Sequence, residues 1–206
     1  MKVKLCGLSR MEDIRYVNEF GPDYVGFVFA KSSRQVTIVQ AATLRKALAA
    51  SIQAVGVFVN EAPETVARIA RDVFLNAVQL HGDEDAAYIA RLRALLPPGT
   101  NLWKAVRVQR KSDLQNAQSY GADLVLFDAF SKDAYGGTGK TADWSLFGRV
   151  SPPRPFFLAG GLHAGNLREA VELVHPDGVD LSGGIETNGV KDREKIKQIL
   201  SIIRGV

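Results

Sequence analysis

Eight short apolar runs rich in valine, leucine and phenylalanine recur along this chain, at 3–8, 24–29, 54–59, 77–82, 102–108, 124–130, 155–162 and 178–186. Between them lie stretches of helix formers, clearest at 39–50, 62–73, 85–96, 112–120, 166–173 and 192–204. Strands that alternate strictly with helices predict a parallel sheet with the helices packed outside it. Eight such units at about 26 residues apiece predict a single-domain (β/α)8 barrel over 1–206, near the small end of that fold's range. An open doubly wound sheet has fewer strands, and no G-x-G-x-x-G opens the first helix here. No linker or low-complexity tract interrupts the pattern, and SPPRP at 151–155 reads as a helix-to-strand turn.

Composition fits one large core. Of 206 residues, 46% are hydrophobic and 23% charged. Lysine and arginine outnumber aspartate and glutamate 26 to 22, a mild bias toward anionic ligands. These charges are mixed with acids and form no stripe interleaved with aromatics, which argues against a nucleic-acid partner. The single cysteine, Cys6, excludes an intrachain disulfide framework and a multi-cysteine zinc site and fits a reducing compartment. The segment MKVKLCGLSRMEDI lacks the apolar core of a signal peptide, and no window approaches a spanning helix. The expectation is a cytoplasmic protein with no membrane partner.

Side chains alternate across a strand, so residues two apart share a face. In the first strand Val3 and Leu5 form the apolar set, which turns Lys4 and Cys6 toward the barrel interior. The same parity turns Gln79 and His81, Asp128, and Asp180 and Ser182 inward. These polar residues gather late in their strands, at the carboxyl-terminal mouth where barrel enzymes build their sites. Buried charges must pair or work. Lys4 with an aspartate could form a structural ion pair, whereas Cys6 and Asp128 each end a strand beside a loop, as ligand-facing groups do.

Two glycine pairs, Gly160-Gly161 and Gly183-Gly184, end the seventh and eighth strands. Turns of this kind after these two strands suit a phosphate held by backbone amides. The glycine-rich segment 135–144 lacks the spacing of a nucleotide loop and reads as a lid. A thiol, a carboxyl, a phosphate cradle and Arg34 after the second strand suit acid–base chemistry on a small sugar phosphate. Two other readings are a Schiff-base aldolase using Lys104 and a non-catalytic phosphate or nucleic-acid binder.

At these residues the chain resembles the phosphoribosylanthranilate isomerase family. The likeness runs end to end: Lys4-Leu5-Cys6-Gly7, Gln79 to Gly82, Asp128 with Gly136 to Gly139 and Asp143-Trp144, Ala159 to Leu162 with Asn166, Gly178 to Ser182, Gly184 to Glu186, and Gly189 to Asp192. The resemblance implies an Amadori rearrangement of N-(5-phosphoribosyl)anthranilate, a small-molecule substrate, without a metal or organic cofactor, by a monomer or homodimer. It implies Asp128 as general acid and Cys6, as thiolate, as the base. Lys4, on the same face of its strand, is expected to favour that thiolate and is grouped with the substrate-binding residues. Arg34 is expected to face the anthranilate. His81 is similar to a substrate-facing residue of the family, although a barrel histidine also serves as a satisfied core polar group; Gln79 reads as structural. Gly160, Gly161, Gly183 and Gly184 are expected to bind the phosphate, with Ser182 adding its hydroxyl. Two departures stand out: Ser33 replaces the proline of a usual S-P-R, which loosens the loop holding Arg34, and Gly183 replaces the second serine of a usual S-S-G.

Overall fold

The strand parity read from KVKLC holds around the whole sheet of the computed structural model, which describes residues 1–129, 144–149, 152 and 155–205. β1 (Lys2–Cys6) pairs in parallel with β2 (Tyr24–Val28) on one side and β8 (Gly178–Leu181) on the other. β3 (Gln53–Phe58), β4 (Ala77–Leu80), β5 (Asn101–Val108), β6 (Leu124–Ala129) and β7 (Phe156–Ala159) complete a closed parallel barrel in chain order. Val3, Leu5, Val78, Leu80, Val125, Phe127, Val179 and Leu181 face outward into the layer beneath the helices. A separate inner cluster contains Val55, Ala77, Trp103, Ala105, Leu124, Leu126, Phe157 and Ala159. Tyr24, Trp103 and Phe157 meet at its centre, with ring centroids 5.0 to 5.8 Å apart. The barrel is therefore a packed core, and the polar ends of its strands stand on an aromatic floor.

The outer layer holds α1 (Met11–Phe20), α2 (Ile38–Ala47), α3 (Pro63–Asp72), α4 (Ala86–Leu95), α5 (Lys111–Gln115), α6 (Leu167–Val174) and α7 (Arg193–Arg204). Their starts follow local chemistry. Thr37 and Gln40 cap α2 reciprocally, Pro63 opens α3 where no amide donor is needed, and Asp192 accepts from the Glu194 and Lys195 amides at the head of α7.

Two elements depart from the sequence reading, and the first helix starts without a marked cap. α1 has no Ser, Thr or Asn at its cap; Asp13, inside the helix, accepts instead from the amides of Ser9 and Arg10 at 2.9 and 3.0 Å. The helix expected over 112–120 divides into α5 and a 3-10 segment, Asn116–Tyr120. The eighth strand stops at Leu181 and not near 186. It gives way to a 3-10 turn, Gly183–Ile185, and then an antiparallel hairpin, β9 (Glu186–Thr187) with β10 (Val190–Lys191). Asn188 and Gly189 close that hairpin with φ of 53° and 79°, the backbone that an Asn-Gly turn favours. Residues 135–143 of the expected lid, with the motif residues Gly136 to Gly139 and Asp143, and most of the 151–155 turn lie outside the described residues.

Candidate active site

A cavity of about 870 Å³ opens at the carboxyl-terminal mouth of the barrel. Cys6, Arg34, His81, Asp128, Gly160, Gly161, Ser182, Gly183 and Gly184 all line it. Cys6 comes from the end of β1 and Asp128 from the end of β6, so a thiol and a carboxyl far apart in sequence share one chamber. Gln79, His163, Asn166 and Asp180 line it too.

The base of the thiol's surroundings is an ion pair. The β1–β8 register sets Lys4 beside Asp180, and their charged atoms lie 2.9 Å apart. Lys4 is fully buried and does not line the cavity; Asp180 does. Lys4 thus sits beneath the cavity wall, where its ammonium acts on Cys6 from below. Burial pushes the Cys6 thiol up, Lys4 pulls it down and Asp180 pushes it up again, with a net rise. Lys4 therefore acts in the direction expected from the sequence, but desolvation outweighs it. Burial alone would lower the Lys4 ammonium, yet Asp180 and Cys6 together raise it, so it stays charged. On the adjacent strand, a methyl at Gly26 would lie 2.6 Å from Cys6 Sγ, and the bare glycine is what leaves room for the thiol.

At the opposite wall, β4 and β6 bring His81 to Asp128, with Nε2 3.4 Å from Oδ2. The Gln79 amide nitrogen is 2.9 Å from His81 Nδ1. The three side chains thus form a partly buried chain from Gln79 through the imidazole to Asp128. Gln79 is nearly fully buried, and its Oε1 has no hydrogen-bond partner among the described residues.

Arg34 reaches from the loop after β2 to the hairpin after β8. Its Nε and Nη2 donate to the two carboxylate oxygens of Glu186, each at 2.6 Å. Lys191 Nζ donates to the same carboxylate at 2.6 Å and to the Ser182 carbonyl at 3.1 Å. The loop loosened by Ser33 is thus tied across the mouth by a side chain. Glu186 and Lys191 stand in the motifs that carry the family resemblance, but the sequence reading gives them no role in the site. Asn188-Gly189, a strong hairpin signal followed by a lysine, was the readable clue to them.

The glycine turns after β7 and β8 lie against each other, as expected. A Cβ on Gly184 would fall 1.9 Å from the Leu162 carbonyl oxygen, so only glycine allows the two turns to touch. Asn166 shapes the first of them, accepting from the His163 amide at 2.8 Å and donating to the Gly161 carbonyl at 3.0 Å. Ser182 donates its hydroxyl to the Cys6 carbonyl at 3.1 Å, which links the cradle to the strand bearing the thiol. Lys104 is buried in an ion pair with Glu84 at 2.8 Å and faces a separate cavity of about 520 Å³. An amine so engaged lacks the free, desolvated character of a Schiff-base lysine.

This geometry has close counterparts. The family model for N-(5'-phosphoribosyl)anthranilate (PRA) isomerase matches residues 3–201. An N-(5'-phosphoribosyl)anthranilate isomerase of Thermoanaerobacter pseudethanolicus is 44% identical over 206 residues, covering 100% of this chain and 99% of that protein. The crystal structure of the phosphoribosyl anthranilate isomerase from Thermotoga maritima is 38% identical, covers 100% of both chains and superposes with a TM-score of 0.90. A phosphoribosyl anthranilate isomerase crystallised with reduced 1-(o-carboxyphenylamino)-1-deoxyribulose 5-phosphate is 35% identical, again with full coverage of both chains, at a TM-score of 0.86. With the match running through every strand that carries a site residue, the chain belongs to the N-(5'-phosphoribosyl)anthranilate isomerase family.

Proposed function

We propose that this chain catalyses the rearrangement of N-(5-phosphoribosyl)anthranilate to 1-(2-carboxyphenylamino)-1-deoxyribulose 5-phosphate in tryptophan biosynthesis. The observation that carries the reading is the convergence of Cys6 and Asp128 on one cavity that the paired glycine turns, after the two strands lying between theirs, also line. Family membership supports the substrate, and the product-like ligand of the relative's crystal supports the shape of the chamber.

Asp128 acts as general acid and protonates the furanose ring oxygen, while the anthranilate nitrogen lone pair closes the C1–N double bond as the ring opens. His81 Nε2 lies 3.4 Å from one oxygen of Asp128, close enough to stabilise the carboxylate left behind. Cys6 as thiolate then removes the C2 proton, and the electron pair moves through C1 to the iminium nitrogen, giving the enolamine. Loss of the hydroxyl proton at C2 and protonation of C1 yield the ketone. The amides of Gly160, Gly161, Gly183 and Gly184 hold the phosphate, Ser182 lines the same turn, and Arg34 meets the anthranilate carboxylate. Gln79 Oε1 accepts from a sugar hydroxyl, which would satisfy its unpaired oxygen.

In this reading residues 1–206 act as one catalytic unit, a cytoplasmic monomer or homodimer whose site is lined by a single chain. No described helix is long and apolar enough to cross a membrane. The test is direct: purified protein is mixed with freshly prepared phosphoribosylanthranilate, and loss of its fluorescence is followed together with formation of the ketose. Isomerisation above the spontaneous rate supports the proposal, and an unchanged rate overturns it.

A further inference from the structure

Arg34 is neutralised in a way that a simple anion receptor would avoid. The Glu186 carboxylate, with a side chain only 8% exposed, grips both Nε and Nη2 of the guanidinium. A negative group at that distance weakens the field an incoming carboxylate feels. Lys191 compensates: nearly buried, and bonded to the same carboxylate, it returns the cluster to a net single positive charge. What remains is geometry. The bidentate bond fixes the guanidinium plane and uses one edge, while Nη1 makes no hydrogen bond among the described residues. The loop carrying Arg34 is closed by the Val36 amide to the Val28 carbonyl at 2.9 Å, Gln35 Nε2 to the Phe29 carbonyl at 3.0 Å and the Arg34 amide to Ser32 Oγ at 3.2 Å, bonds that fix the backbone and leave the guanidinium unheld. The hairpin β9–β10 supplies what the loop lacks, since Glu186 and Lys191 occupy paired positions across it.

We propose that Glu186, seated by Lys191, is a positioning residue that holds the Arg34 guanidinium edge-on to the ligand, and that it thereby sets selectivity for an aromatic amine bearing an ortho carboxylate over the same amine without one. This rests on the reading that Arg34 faces the anthranilate. Charge and geometry make opposite predictions. If Glu186 acted only through its charge, removing that charge would tighten binding of every anionic ligand. If it only stitched the hairpin, its loss would weaken all ligands alike.

The experiment is calorimetric titration of the full chain with reduced 1-(o-carboxyphenylamino)-1-deoxyribulose 5-phosphate and with its counterpart lacking the carboxyl group. Wild type, Arg34→Met, Glu186→Gln and Glu186→Asp are compared, with circular dichroism to verify folding. We expect Arg34→Met to abolish the preference for the carboxylated ligand. Glu186→Gln should reduce the preference about tenfold, in line with a lost charged hydrogen bond, while the decarboxylated ligand binds within about twofold of wild type. Glu186→Asp, which keeps the charge but is one methylene short, should fall between. Unchanged or tighter binding of the carboxylated ligand to Glu186→Gln, or equal weakening of both ligands, would overturn the proposal. A preference that survives Arg34→Met would remove the reading of Arg34 itself, and the proposal with it.

Discussion

Lys4 and Asp180 face each other across β1 and β8 with their charges 2.9 Å apart, one step below the thiol of Cys6. The pair therefore belongs to the electrostatics of the base as much as to the core. Lys4 lowers the thiol and Asp180 raises it, but burial dominates and leaves Cys6 above the ordinary thiol value. In the empty enzyme the thiolate fraction at neutral pH is accordingly small, and it grows as pH rises.

Alkylation of Cys6 by iodoacetamide should accelerate with pH, with a midpoint above 9.0, the ordinary value. Lys4→Met should move that midpoint further up, because the largest lowering influence is gone. It also strands a buried carboxylate, at a cost of roughly 3–5 kcal/mol. Lys4→Met with Asp180→Asn removes that penalty and, compared with Asp180→Asn alone so that the raising influence of Asp180 is absent from both, keeps the test usable if the single variant unfolds. An alkylation profile unmoved in both variants would show that Lys4 does not act on the thiol.

Gly26 offers a steric probe of the same group. A methyl there would lie 2.6 Å from Sγ and 3.2 Å from the Cys6 Cα. Gly26→Ala should displace the thiol and reduce kcat by roughly a hundredfold, the scale expected for a misplacement of about 1 Å. Steady-state kinetics on the folded variant would decide, and wild-type turnover would contradict the assigned position of the base.

The aromatic floor should be the main source of rigidity beneath the site. Trp103 is nearly buried between Tyr24 and Phe157, and Trp103→Ala should cost roughly 3–5 kcal/mol in urea unfolding. A loss below about 1 kcal/mol would mean the interior repacks around the hole.

Glu186 links the mouth to acid stability. Burial pushes its carboxyl up, but the bonds from Arg34 and Lys191 outweigh that and hold it below the usual 4.5. The folded state then binds fewer protons than the unfolded one as pH falls into this range. The stabilisation is complete above about 4.5 and is lost as pH drops through the depressed folded value. Between about pH 5 and pH 3 the melting temperature of wild type should therefore fall more steeply than that of Glu186→Gln. Parallel slopes would show that this carboxyl does not contribute.

The barrel is legible because its signals repeat: eight apolar runs at similar spacing, four of them with polar side chains out of step with the apolar set. The inward turn of Cys6, Gln79, His81, Asp128, Asp180 and Ser182 needed only parity. What escaped was chemistry that acts across loops. α1 is capped backward from Asp13, so no start signal precedes it. Glu186 and Lys191 lie in a hairpin two residues wide, too short for an alternating pattern, and their partner Arg34 is far away in sequence. Placement beneath the cavity wall, as for Lys4, follows from strand stagger, which no single strand encodes.

The measurement that bears most directly on the account is single-turnover isomerisation of phosphoribosylanthranilate, followed by its fluorescence, with wild type, Cys6→Ser and Asp128→Asn. The account predicts that each variant folds, still binds the reduced product analogue, and loses at least about a hundredfold in rate, the lower range for a positioned acid or base. A wild-type rate in either variant would contradict the role given to that residue, and wild-type rates in both would contradict the account as a whole.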